Sequence, residues 1–251
     1  MRVKRNVYSG AVCEVEVYSV SDNTRKISKA EPRPRFKSQE EREAFNLAVA
    51  RRHHARLVNA NFGPSSLYST LTFDADNEVH TPEMGWKIGT NFMRRLHRLN
   101  PDAKYILHMG FGSSTRRLHF HMISEGLTEE QIRSRWPYGK TILIEHLRPR
   151  CKVARKDYGQ DYTGLANYLF NHWRPGLGKK RYRTSANLVQ PEKTEAKPIK
   201  RKYSAAHPPK APKGYFLTDV WDSGAGYLCF KYAEEAPDTA PPGAGRRPQR
   251  C

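Results

Sequence analysis

Two histidines and a tyrosine carry the chemistry that this sequence offers. His119 and His121 lie in Leu118-His119-Phe120-His121-Met122-Ile123, a short stretch with period-two alternation. Side chains two apart on a strand share a face, so the imidazoles stand side by side while Phe120 and Met122 turn to a core. Neutral imidazole is a common ligand for divalent metals; the plain alternative is two exposed histidines on a solvent-facing sheet. Farther along, Tyr168, Asn171 and His172 fall together on one helix face, beside a packing stripe of Leu165, Leu169 and Trp173. A tyrosine hydroxyl, with a free pKa near ~10, is a poor nucleophile. It needs a target whose charge is neutralised, which a divalent metal on a phosphate provides. The alternative here is an ordinary amphipathic-helix tyrosine, ring buried and hydroxyl wet.

Cap and turn signals outline the elements that must position these groups. Leu67 to Phe73 alternates as a strand, with Tyr68, Thr70 and Thr72 on one face. Thr81-Pro82-Glu83 opens a helix whose Ile88, Phe92, Leu96 and Leu99 form a core stripe, stopped by Asn100-Pro101. Lys104 to Phe111 is the next strand, and Gly112-Ser113-Ser114-Thr115 turns it into the histidine strand. Thr128-Glu129-Glu130-Gln131 caps a short helix to Trp136, Thr141 to Leu147 is a fourth strand, and a helix spans about Tyr162 to Trp173. The order β-α-β-β-α-β-α predicts an α+β fold: a split βαβ (ferredoxin- or RRM-like) antiparallel sheet with helices on one side, flanked by basic N- and C-terminal extensions. Residues 1–37 read as a strand region (Asn6 to Val20) and a linker, and 38–191 as the sheet domain, opened by a helix from the capping-box sequence Ser38-Gln39-Glu40-Glu41 to about Asn59. Residues 192–232 read as a basic extension with a candidate hairpin from Gly214 to Tyr232, and 233–251 as a Pro/Gly/Ala-rich tail expected to be disordered.

The chain of 251 residues holds 44 Lys and Arg against 25 Asp and Glu, a formal net charge of +19. That excess points to a polyanionic partner, nucleic acid first and an anionic membrane surface second. No run of 18 apolar residues exists to span a bilayer, and Met1 to Arg5 lacks the apolar core of a signal peptide. Cys13, Cys151, Cys229 and Cys251 are scattered without CxxC spacing, which argues against a zinc knuckle or a disulfide scaffold and fits a reducing cytoplasm. The basic runs Arg51 to Arg56, Arg148 to Lys156, Lys179 to Arg183 and Lys197 to Lys202 are either solvated faces or parts of a single-strand channel. Tyr138, Tyr158 and Tyr182 lie among or near them as base-stacking candidates.

Leu118-His119-Phe120-His121-Met122 resembles the His-hydrophobic-His motif of HUH endonucleases, the rolling-circle replication initiators of plasmids and small phages with their relaxase and single-strand transposase relatives. Three further pieces resemble the family in the expected order. Leu67-Tyr68-Ser69-Thr70-Leu71-Thr72-Phe73 is similar to the FLTLTY strand, and Gly164-Leu165-Ala166-Asn167-Tyr168-Leu169 to the GLAxYL tyrosine helix. Lys180 to Leu188 resembles the following basic segment with its S-x-N-L ending. The resemblance covers about Leu67 to Pro191, half the chain.

It implies that His119 and His121 hold Mg²⁺ or Mn²⁺ on the scissile phosphate of single-stranded DNA at a replication origin. Tyr168 would attack and form a 5′-phosphotyrosine, leaving a 3′-OH. The family's Glu on the preceding strand, often in GEYG, falls on Gly110 of Met109-Gly110-Phe111-Gly112. His108, two residues earlier on the same face, is then either the substitute ligand or an ordinary strand histidine. Asn171 stands where the family has lysine, and His172 where some members have a second tyrosine, which implies a single-tyrosine enzyme. His172 is either an acid or base beside Tyr168 or a plain helix-face histidine. Arg116, Arg117, Arg148, Lys179, Lys180 and Arg181 are the candidate DNA contacts. Host helicase and polymerase are candidate further partners, with no membrane partner and a cytoplasmic location. The rival reading is a non-catalytic single-stranded nucleic-acid-binding protein on the same fold, which would tolerate Phe at position 168. A single-strand transposase is a typically shorter chain, and a two-histidine phosphoesterase needs a second HxS/T motif that this sequence lacks.

Overall fold

A computed structural model of the chain describes residues 1–21, 27–29, 36–112, 117–148, 151–153, 156–173 and 180–235. In chain order the elements are β1 (Arg2–Ser9), β2 (Val12–Ser19), α1 (Gln39–Asn61), β3 (Leu67–Thr72), α2 (Pro82–Leu99), β4 (Lys104–Phe111), β5 (Leu118–Glu125), α3 (Glu129–Arg135) and β6 (Ile142–His146). They continue as β7 (Cys151–Val153), β8 (Lys156–Tyr158), α4 (Thr163–His172), β9 (Tyr182–Thr184), β10 (Glu192–Lys193), β11 (Lys197–Pro198), β12 (Tyr215–Asp222) and β13 (Tyr227–Glu234). The fold is α+β, with two large antiparallel sheets, a β7–β8 ribbon and four α-helices among the described residues. The chain divides into two compact units: Met1–Ala60 with Arg150–Tyr162 and Gln190–Cys251, and Asn61–Pro149 with Thr163–Val189. This differs from the contiguous division expected from the sequence. The helix α1 belongs with the terminal strands, and the tail expected to be disordered lies, from residue 236, outside the described residues.

The second unit carries the histidine strand. Its sheet runs β6-β3-β5-β4-β9, with every neighbour antiparallel, so β5 lies at the centre and is braced on both sides. On one face, Leu67, Leu71, Tyr105, Leu107, Met109, Leu118, Phe120 and Met122 pack against Phe92, Met93 and Leu96 of α2 and Ile132 next to Trp136 at α3. Caps at both helix starts match the sequence signals. Thr81 accepts from the Met84 amide, and Thr128 with Gln131 forms a capping box. Gly85 and Gly89 let α2 approach closely: a Cβ at 85 would lie 2.6 Å from Leu118 Cδ1, and one at 89 would lie 3.0 Å from Leu107 Cδ2. The opposite face carries Tyr68, Thr70, His108, His119 and His121, and α4 lies against it, burying Ala166, Leu169 and Phe170. The expectation that all helices share one side is therefore corrected. The histidine face also carries the fully buried Ile106 and Ile123, which need a cover.

In the first unit the two ends of the chain build one sheet, β10-β1-β2-β13-β12, with β11 also paired to β1. Asn6 to Val20 thus forms a hairpin that joins the C-terminal hairpin rather than the histidine sheet. Its turn requires Gly10, at φ +57°, where a Cβ would lie 2.3 Å from the Asn59 carbonyl oxygen. Two cations of the basic run of α1, Arg52 and Arg56, are spent inside this unit. Arg56 Nη2 reaches Glu16 at 2.7 Å and its Nε donates to Glu14, while Arg52 stacks 4.1 Å from the Trp221 ring centroid. Burial alone would raise the Glu16 pKa, but Arg56 and Arg5, helped by a 2.6 Å hydrogen bond from Tyr227, outweigh it and lower the pKa to about 2. Arg52 and Arg56 are therefore structural cations, not free phosphate grips.

Candidate three-histidine metal centre

The period-two geometry of β5 brings His119 and His121 to one face, and the last turn of α4 lowers His172 onto them. The three Nε2 atoms converge, at 3.1 Å for 119–121, 2.7 Å for 119–172 and 3.1 Å for 121–172. Imidazole binds first-row metals at about 2.0–2.1 Å, so three ligands at right to tetrahedral angles would have nitrogens about 2.9–3.4 Å apart. The two spacings to His121 fall within that range, and the 2.7 Å between His119 and His172 is slightly shorter than it. Three nitrogens pointed at one centre cannot all satisfy each other by hydrogen bonds, because each proton serves one pair. A cation at the centre satisfies all three lone pairs, and these residues therefore fit a metal.

The protonation states agree. Burial lowers the pKa of all three; for His121 it acts with the neighbouring His119 and His172 to bring the value down to about 3. Neutral rings are the ligand form. The Nδ1 atom of His121 lies 2.7 Å from the Tyr68 hydroxyl and 3.0 Å from the Thr70 hydroxyl. Donation from Nδ1–H to those oxygens would leave Nε2 as a lone pair aimed inward, the arrangement that orients a metal-bound histidine. Burial is the main reason the Tyr68 pKa rises to about 12, so this phenol stays neutral. His119 Nδ1 faces the Arg117 carbonyl oxygen at 3.4 Å, a weaker version of the same device.

Gly110 makes room for this centre. A Cβ there would lie 1.9 Å from Cδ2 and 2.4 Å from Nε2 of His172, and 3.1 Å from Nε2 of His119. No side chain fits at 110 while His172 is in place. Tyr168 sits one turn before His172, 52 % exposed, with its ring 5.2 Å from the His172 ring and 6.1 Å from that of His121. A half-open phenol thus stands at the rim of the nitrogen cluster.

The structure brings together Tyr168, His119, His121 and His172 from the sequence candidates, with His172 as the third imidazole of a group that could hold a metal ion. His108 is not the third member of that group. It faces His121 across the strand pair but is fully buried, with the Tyr182 ring tilted against it at 5.6 Å, and its nitrogens are outside the converging set. Asn171 is exposed on α4 and outside the cluster. Arg181 is structural. Its guanidinium donates to the Phe170 and Trp173 carbonyls at 3.3 Å each, satisfying the end of α4, and lies over the Phe170 ring. Tyr182 is likewise part of the sheet, and Tyr138 packs on Trp136. Arg117 is half exposed, 3.4 Å from Glu78, and Arg148 and Lys180 are exposed. Arg116, Lys179 and the stacking candidate's side chain at Tyr158 lie outside the described residues.

Sequence reasoning missed Tyr68, Thr70 and the reason for Gly110. Alternation places Tyr68 and Thr70 on one face of β3, but nothing local shows that β3 lies beside β5. No family model matches the chain, and no curated protein or solved structure is significantly similar to it. Among the described residues, no helix is long and apolar enough to cross a membrane.

Proposed function

We propose that this chain is a metal-dependent, tyrosine-type DNA endonuclease and strand transferase that initiates rolling-circle replication. The observation that carries the reading is the convergence of three imidazole nitrogens one helical turn from a half-exposed tyrosine. The motif order around His119, His121 and Tyr168 supports the same class, and a net charge of +19 suits a polyanionic substrate.

A bound divalent metal, Mn²⁺ or Mg²⁺, would neutralise charge on a phosphodiester oxygen. The chain's own part is positioning. His119, His121 and His172 hold the site, Tyr68 and Thr70 orient His121, and α4 carries Tyr168 at a set distance from its own His172. The Tyr168 oxygen attacks phosphorus and gives its proton to solvent, to which the ring is open. The P–O3′ bond breaks, the 3′ oxygen gains a proton, and the 5′ phosphate stays on the tyrosine. Attack by a 3′-OH on that ester reverses the step and rejoins strands.

The test mixes the protein with labelled single-stranded DNA from its own locus and Mn²⁺, and looks for an SDS-stable adduct. Tyr168→Phe and His121→Ala should each abolish it. Intact DNA binding with no adduct under any divalent metal would replace this reading with a non-catalytic nucleic-acid binder. An adduct that survives Tyr168→Phe would assign the nucleophile elsewhere.

A further inference from the structure

The segment from Lys193 to Lys213 lies in the first unit, away in sequence from every residue of the histidine centre. It is irregular for most of its length, yet firmly held. Its β10 and β11 pair with β1, and the Ile199 amide donates to the Arg2 carbonyl at 3.0 Å. The Tyr232 hydroxyl donates to the Pro209 carbonyl at 2.6 Å. Ile199, Tyr203 and Ala211 turn inward onto the core of Cys13, Val15, Val17 and Phe230. Long irregular segments in compact units are mostly functional, and this one has its apolar residues as anchors.

The cations point the other way. Lys197, Lys200, Arg201, Lys202, Lys210 and Lys213 are all exposed, and among the described residues none of the six forms an ion pair. From 192 to 213 there are seven Lys or Arg against two Glu, a net of +5. Lys197 also pairs directly with Lys4 across the β1–β11 ladder, a like-charge juxtaposition that costs stability unless something anionic covers it.

We propose that this strap is a nucleic-acid-binding surface that grips the phosphodiester backbone without reading sequence. It forms a second contact, built independently of the histidine centre. The pattern favours nucleic acid over a membrane surface. Between its cations the strap exposes Ser204, Ala205, Ala206 and His207, and no exposed aromatic or large aliphatic side chain to enter a bilayer. Exposed cations on an anchored backbone can neutralise phosphates and release counterions on binding.

The experiment is fluorescence anisotropy on the full chain in EDTA, with labelled single-stranded and duplex oligonucleotides of unrelated sequence across a salt series. One variant carries Lys200→Gln, Arg201→Gln, Lys202→Gln and Lys210→Gln. A charge-matched control carries Lys87→Gln, Arg94→Gln, Arg98→Gln and Arg135→Gln on exposed positions of the second unit. The strap variant is expected to bind at least about 10-fold more weakly, with a log–log salt slope shallower by up to about three, given roughly 0.7–0.9 per lost phosphate contact. The control should change less than about 3-fold. Equal losses in both variants, or an unchanged slope in the strap variant, overturn the proposal. So does tight binding to phosphatidylserine vesicles with none to either oligonucleotide. Single changes Lys200→Gln and Lys210→Gln, each lowering the slope by about 0.7–0.9, carry the test should the fourfold variant fail to fold. Failure of adduct formation by Tyr168 would leave these titrations unaffected, so the two readings fall separately.

Discussion

Gly110→Ala is the sharpest probe of the histidine centre, because it adds a single carbon where the structure has none to spare. That Cβ would lie 1.9 Å from His172 Cδ2, whereas ordinary contact begins near 3.4 Å, so the ring must retreat by about 3.4 − 1.9 = 1.5 Å. Metal–nitrogen bonds tolerate only about 0.2 Å. The centre would drop from three imidazoles to two. Loss of an orienting partner alone costs about 10–100-fold in metal affinity, so loss of a ligand should cost at least about 100-fold, or ~2.7 kcal/mol. Titration with Co²⁺, read by its visible absorption, or calorimetry with Mn²⁺ measures this directly. The companion variants are His172→Ala and the double change. If the alanine acts only by displacing His172, the double variant binds metal no more weakly than His172→Ala alone, a fully non-additive cycle. Wild-type affinity in Gly110→Ala would refute the reasoning, since His172 would then not be a ligand or α4 would yield freely. A double variant far weaker than His172→Ala would show that Gly110 matters for another reason.

Tyr68→Phe with Thr70→Val removes both oxygens facing His121 Nδ1 and should weaken metal binding about 10–100-fold while leaving the fold intact; calorimetry checks it, and restoring either hydroxyl should recover part of the loss. The pKa of His121 is depressed to about 3 against 6.5 for the unfolded chain, so the stability present above pH 6.5 is lost as pH falls from 6.5 towards 3. In EDTA that is about 2 kcal/mol between pH 6.5 and 5, visible in urea unfolding and flattened by His121→Asn. Glu16 works in a lower window: its stabilisation is present above pH 4.5 and lost as pH falls towards about 2. Arg56→Ala should destabilise the first unit by about 3 kcal/mol, the low end for breaking a buried pair, because it leaves the buried Glu14 and Glu16 with only Arg52 and Arg5; a thermal melt unchanged from wild type would contradict the buried network.

Local signals in the sequence determined much of the second unit. Alternation in Leu118 to Ile123 set the shared face of His119 and His121, and the caps at Thr81 and Thr128 set the starts of α2 and α3. These features depend on neighbours within one or two turns, and such neighbours are written consecutively in the chain. What the tertiary structure decided depends on residues far apart. His172 became the third member of the cluster, and His108 did not, because α4 crosses the histidine face over Gly110. Arg52, Arg56 and Arg181 read as phosphate-binding cations, but long-range carboxylates claim the first two and a helix end claims the third. Asn6 to Val20 carried a clear strand signal and no indication of its partner, which lies more than two hundred residues away in β13. Periodicity specifies a face; only the packing of whole elements specifies what that face meets.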